Sequence, residues 1–222
     1  MLPLQLTTPE HRSLSVLAIG AHPDDIEIGA GGTLLVLGDN QPSLRACYVV
    51  LTGAAERQQE ARMAAAAFLA TAEVSVDLFN LPEGRLPAVW DQVKNILEQV
   101  AQTFTPDLII APSSRDAHQD HRTIGEIVPT VFRDQLCLSY EIPKWDGDLG
   151  NPSAYIPMSA SVARRKVELL HTCFPSQRSR DWWDDEVFLG LARLRGAECR
   201  AQYAEAFTCS KSVILTSASA AM

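Results

Sequence analysis

The chain has 222 residues, 46% hydrophobic and 21% charged, proportions of an ordinary folded domain that exclude a disordered or fibrous chain. Its 19 Lys and Arg against 27 Asp and Glu leave a net charge of −8, which argues against nucleic acid or an anionic membrane as the main partner. Five cysteines, Cys47, Cys137, Cys173, Cys199 and Cys209, are odd in number and form no C-x-x-C pair; reduced thiols in a cytoplasmic compartment are expected, not a disulfide framework or a cysteine zinc site. Residues 1–10 lack the pattern of a signal peptide, and the longest uncharged apolar-leaning run, 63–72, is too short to span a bilayer.

In chain order, residues 15–20 read as a buried strand, 29–37 as a helix stopped by Gly38-Asp39-Asn40, and 45–51 as a second strand. Strong helix formers fill 55–71, residues 73–79 alternate as a third strand, and 89–104 carries Val93, Ile96, Leu97 and Val100 at helical core spacing. A fourth strand at 107–111, a helix at about 123–132 and a fifth strand at 136–140 complete the alternation. Strands alternating with helices imply right-handed crossovers and a Rossmann-like α/β fold, a doubly wound, mainly parallel sheet with helices on both faces. Beyond it, 141–157 is rich in breakers and irregular or hairpin-like, 162–173 and 187–203 read as helices, 212–215 as a last edge strand, and 216–222 as a frayed tail. The expectation is a single domain over 1–222 whose C-terminal third shapes the substrate site.

Two motifs carry the chemistry. Ala21-His22-Pro23-Asp24-Asp25-Ile26-Glu27 follows the first strand, and Asp116-Ala117-His118-Gln119-Asp120-His121 follows the fourth. In a sheet ordered 3-2-1-4-5 these strands are neighbours, and their C-terminal ends flank the topological switch point, so both motifs reach one crevice. Two imidazoles and one carboxylate leave a zinc ion about one positive charge and an open position for water. The adjacent Asp24 and Asp25 diverge in a tight loop, so one can bind metal while the other takes a proton.

These motifs resemble those of the PIG-L/LmbE-like family of zinc-dependent N-acetylglucosaminyl deacetylases. The resemblance extends to Thr52-Gly53 with Arg57 and Glu60, to Lys166 with Ser176-Gln177, and to Arg195-Gly196 with the segment 203–207. One departure is Ala54-Ala55-Glu56, where relatives often carry an acidic residue and a longer glycine-bearing loop. The resemblance implies His22, Asp25 and His121 as ligands of one divalent ion per chain, Zn2+ or alternatively Fe2+. It implies Asp24 as general base and a protonated His118 that stabilises the oxyanion or protonates the departing amine. Glu27 would brace the loop, and Asp120 would orient an imidazole. The implied substrate is a small N-acetylated amino sugar or its conjugate. A homo-oligomer is in view because relatives often self-associate.

By topology Tyr140, Glu141 and Trp145 are candidate sugar contacts, as is Arg57, which could equally pair with Glu60 or Glu56 on its own helix. Trp182 and Trp183 read chiefly as packing, Arg164-Arg165-Lys166 as a solvated face from which Lys166 could turn inward, and His11 and His171 as surface or structural. Two other readings stay open. The same centre could serve an amidase acting on a thiol conjugate or antibiotic intermediate. Alternatively Gly29-Ala30-Gly31-Gly32 could belong to a nucleotide-binding Rossmann module, although such a cluster more simply lets a helix approach the sheet.

Overall fold

In a computed structural model, which describes residues 2–6, 12–41 and 43–214, the sheet has seven strands. They are β1 (Ser15–Gly20), β2 (Arg45–Thr52), β3 (Glu73–Leu81), β4 (Leu108–Pro112), β5 (Leu136–Tyr140), β6 (Ala154–Met158) and β7 (Tyr203–Cys209). The six α-helices are α1 (Asp25–Asn40), α2 (Ala55–Phe68), α3 (Trp90–Thr103), α4 (Gln119–Val131), α5 (Ala160–Cys173) and α6 (Asp185–Cys199). The strand order is β3-β2-β1-β4-β5-β7-β6. The first five strands are parallel, and β7 runs antiparallel to both β5 and β6. The α/β class and the 3-2-1-4-5 core are as expected.

Alternation along β1 divides the core. Val16 and Ala18 face α1, α2, α5 and α6, whereas Leu17 and Ile19 face α3 and α4. The strand is wholly buried, as a central parallel strand covered on both faces must be. Because Ala18 lies opposite Ile110, the loops that leave β1 and β4 emerge side by side.

The glycine cluster in α1 is explained by close packing. A Cβ on Gly29 would lie 2.4 Å from the Tyr140 ring, and one on Gly31 2.6 Å from Phe68. These glycines face the core, so the cluster has no open side for a nucleotide phosphate, and the dinucleotide reading fails on sterics.

The C-terminal third differs most from expectation. Helix α6 ends at Cys199, and residues 203–209 form an interior strand where a helix was expected to 203. Residues 212–214 are outside any strand, while Leu215, the 216–222 tail and His11 lie outside the described residues. Helices α1 and α4 both begin four residues earlier than expected, inside the two motifs.

Lys166 is turned inward, unlike its exposed neighbours Arg164 and Arg165. Its Nζ donates to Ile28 O and to Glu205 Oε1, both at 2.6 Å. Glu205 in turn accepts from Gly32 N at 2.8 Å and Thr33 N at 2.6 Å. The buried pair thus binds α5 and β7 to the backbone of α1. Breaking a buried pair leaves an uncompensated charge, so Lys166→Met is expected to cost about 3 kcal/mol in urea unfolding, with part recovered by adding Glu205→Gln.

Candidate metal centre and active site

Helix α1 starts abruptly. Asp24, the residue before it, has φ 107° and ψ −24°, a backbone conformation that side-chain-bearing residues seldom adopt and that costs of order 1–3 kcal/mol. The strain divides the Asp-Asp pair. Asp25 Oδ2 folds back to accept from Ala21 N at 2.9 Å and His22 N at 2.8 Å, while Asp24 turns toward Arg57. Gly53, at φ 118°, closes the neighbouring turn, and a Cβ there would lie 2.7 Å from the Pro23 ring.

Three atoms from the two motifs converge. His22 Nδ1 lies 3.2 Å from His121 Nε2 and 3.4 Å from Asp25 Oδ2, and His121 Nε2 lies 3.2 Å from Asp25 Oδ2. A tetrahedral ion with bonds of about 2.0–2.1 Å holds its ligands about 3.3 Å apart, so the triangle has the dimensions of one face of a zinc site. The outer nitrogens are committed elsewhere. His22 Nε2 meets Asp120 Oδ2 at 3.2 Å, and His121 Nδ1 meets Asp116 Oδ2 at 3.0 Å. With their protons directed at these carboxylates, both imidazoles turn lone pairs toward Asp25, a donor set that calls for a cation.

The same carboxylates favour positive charge at the inner nitrogens, whether carried by protons or by a metal ion. Burial alone would lower both imidazoles, but Asp25 and the carboxylates behind them reverse this and raise His22 to about 10 and His121 to about 9. Asp116, despite burial, is held down at about 2 by His121, the His118 backbone N–H and Lys144. A nitrogen of His118 also lies within 4.8 Å of nitrogens of His22 and His121. Asp25 suits the third position better, because it completes the tighter triangle and supplies a negative charge.

His118 caps α4, and its Nδ1 accepts from Asp120 N at 3.3 Å. Its Nε2 therefore carries the proton of the neutral ring. Burial and the neighbouring His121 and His22 lower its pKa, favouring that neutral ring over the expected imidazolium. Asp24 lies beside the triangle with Oδ2 3.0 Å from Arg57 Nη2. Burial pushes its carboxyl up to about 7 against the pull of Arg57, with Asp25 adding to the rise.

Arg57 also donates to Pro23 O and sits with Nε 3.1 Å from Glu60 Oε2. Glu60 accepts from Ser176 N at 2.9 Å and Ser176 Oγ at 2.7 Å, so the segment after α5 supports the arginine. Asp120 also accepts from Gly84 N at 2.6 Å and Leu86 N at 3.0 Å. Glu27 is fully buried and accepts from the Tyr48 hydroxyl at 2.8 Å, with burial raising it to about 8.

The candidate sugar contacts diverge. Tyr140 is corrected by its packing: it is 1% exposed, and its hydroxyl donates to Ile19 O at 2.9 Å in the core. Glu141 directs both oxygens to Arg195, at 2.7 and 2.8 Å. Trp145 is 63% exposed, with Nε1 donating to Asp181 Oδ1 at 2.8 Å. Asp116 had no role assigned from sequence. The available signal was one carboxylate for each imidazole: Asp120 serves His22, so His121 lacked its partner.

Comparison with known proteins identifies the family. The family model for PIG-L, described as GlcNAc-PI de-N-acetylase, matches residues 17–132, more than half of the chain and inclusive of both motifs. The chain belongs to the PIG-L family. Membership places it, at superfamily level, among deacetylase-type amidohydrolases. An uncharacterized deacetylase of Escherichia coli K12, YaiS, is 27% identical over 151 residues, covering 62% of this chain and 79% of that protein.

Among solved structures, the N,N'-diacetylchitobiose deacetylase of Pyrococcus horikoshii superposes with a TM-score of 0.69 at 20% identity, covering 89% of this chain and 84% of that one. GalB, a 4-carboxy-2-hydroxymuconate hydratase from Pseudomonas putida KT2440, superposes with a TM-score of 0.74 at 16% identity, covering 92% and 99%. At these identities the likeness shows the fold alone, and the fold houses more than one reaction. Among the described residues, no helix is long and apolar enough to cross a membrane.

The triangle predicts metal binding that depends on all three donors. Near one divalent ion per chain is expected by elemental analysis of the wild type, and less than a tenth of that in His121→Ala purified alongside it.

Proposed function

We propose that this chain is a metal-dependent N-deacetylase that hydrolyses the acetamide of an N-acetylglucosamine-type amino sugar or its conjugate. The observation that carries the reading is the placement of Asp24, strained and restrained by Arg57, beside the His22, Asp25 and His121 donor triangle. A divalent ion held by that triangle, zinc in our reading with iron as the alternative, would supply Lewis acidity toward the acetyl carbonyl and water.

The remaining steps belong to the chain's own groups. With Oδ2 committed to Arg57, Asp24 has Oδ1 to receive the proton of the attacking water. A pKa near 7 suits a base that must later return the proton. The His118 Nε2–H donates to the oxyanion as it develops, and the backbone bond to Nδ1 fixes that tautomer. Asp24 then protonates the amide nitrogen, the C–N bond breaks, and acetate and a free amine leave. Arg57 acts as a positioning residue for Asp24. A role for Trp145 at the sugar end is compatible with its exposure, whereas Glu141 supports Arg195.

The sugar assignment draws on the family description and on the Pyrococcus horikoshii relative, which acts on an N-acetylated disaccharide. The test is amine release from N-acetylglucosamine, N,N'-diacetylchitobiose and N-acetylglucosaminyl conjugates by the zinc- or iron-loaded protein. Release from a thiol conjugate or antibiotic intermediate alone would keep the amidase and replace the sugar. Hydration of an unsaturated acid without any amine release would overturn the reading.

Two outcomes test the roles. Asp24→Asn should lower kcat by about 10²–10⁴-fold while retaining its metal. Asp24 works deprotonated, so kcat/KM should fall as pH drops through its pKa. Arg57 favours the charged form, so Arg57→Met should move that acidic limb to higher pH. A rise in KM with an unmoved limb would instead make Arg57 a substrate anchor.

A further inference from the structure

Lys144 lies in the segment between β5 and β6, outside both motifs. Its side chain is 10% exposed, and its ammonium is surrounded by carboxylates. Nζ lies 3.1 Å from Asp116 Oδ1, 2.9 Å from Asp148 Oδ2, 3.1 Å from Asp148 Oδ1 and 3.6 Å from Asp146 Oδ2. The three aspartates bring oxygens within 4.8 Å of one another. Such a cluster could suggest a second cation site, but the lysine is already the cation at its centre. The clamp closes twice on the second motif, because Asp148 Oδ2 also accepts from Ala117 N at 2.7 Å.

Asp116 is the link to the metal triangle. One oxygen faces Lys144 and the His118 backbone N–H, and the other accepts from His121 Nδ1 at 3.0 Å. We infer that Lys144 is a positioning residue for metal binding: by holding Asp116 it fixes the orientation of His121, so the loop after β5 sets the affinity of the centre. Without the ammonium, Asp146 and Asp148 repel Asp116 and turn it from the imidazole. A carboxylate directly behind a metal ligand, as Asp116 is behind His121, is typically worth about 10–100-fold in affinity, which bounds the effect of a lysine acting through it. A direct charge effect has the opposite sign, since a nearby ammonium repels a dication, and removing it would tighten binding.

The inference rests on the metal-centre reading of the preceding sections, and one experiment separates the two. Zinc affinity is measured by competition with a chromophoric chelator for the wild type, Lys144→Met, Asp116→Asn and the double variant, with folding checked by circular dichroism. Lys144→Met is expected to bind zinc about 10-fold more weakly. The loss should largely disappear in the Asp116→Asn background, because the lysine acts through that carboxylate.

Wild-type affinity in Lys144→Met, tighter binding, or losses that multiply in the double variant would overturn the inference and leave the centre standing. A wild type that binds neither zinc nor iron(II) would overturn both. If Lys144→Met does not fold, Lys144→Gln, which keeps an amide NH2 donor group without the charge, should bind several-fold more weakly. Unchanged affinity in that variant would equally overturn the inference.

Discussion

Two imidazole nitrogens and a carboxylate oxygen cannot be held 3.2–3.4 Å apart unless something fixes the far side of each ring. A ring anchored only at its inner nitrogen can still turn about its own bonds, so its aim depends on what holds the outer nitrogen. Here each ring is held from behind by its own aspartate, Asp120 for His22 and Asp116 for His121. The aspartates are fixed in turn by backbone N–H groups of a neighbouring loop and by Lys144. The centre is thus a small triangle whose rigidity is supplied by a larger ring of hydrogen bonds, most of them made to loops rather than to the sheet.

The C-terminal third, expected to shape the substrate site, contributes at least as much to this support. Lys166 and Glu205 bind the backbone of α1 just beyond the first motif. Ser176 holds Glu60, Glu60 meets Arg57, and Arg57 meets Asp24. The strained backbone of Asp24 can persist because its surroundings over-determine it: a helix begins at the next residue, Gly53 packs against Pro23, and an arginine takes its outer oxygen.

The first two thirds of the fold were legible because local pattern and tertiary role agree there. Apolar runs flanked by breakers became strands, and the order of the five parallel strands brought the motifs together. The same reasoning missed β7. The residues before 203 favour helix, and nothing local shows that 203–209 must fill the gap between β5 and β6. Tyr140 was misread because topology gives the level of a residue in the sheet but not the side on which its ring packs. Lys144 had no signal at all, since a lone lysine in an irregular segment becomes a clamp only when three aspartates are folded around it. The motif residues were readable because their spacing is itself a chemical constraint.

The insertion of β7 between β5 and β6 also dictates an order of events during synthesis. Among the described residues, strand β6 pairs only with β7, so it has no neighbour to join when it is made. Until about residue 209 is available, β5 presents an open edge, and the carboxylate of Glu205 that grips α1 is missing. A growing chain could assemble the parallel core, with both motif loops in place, and still hold the first motif on an unbraced helix. Completion of the centre is therefore tied to the arrival of one of the last strands, and the interval before it is when an exposed strand edge invites pairing with another chain.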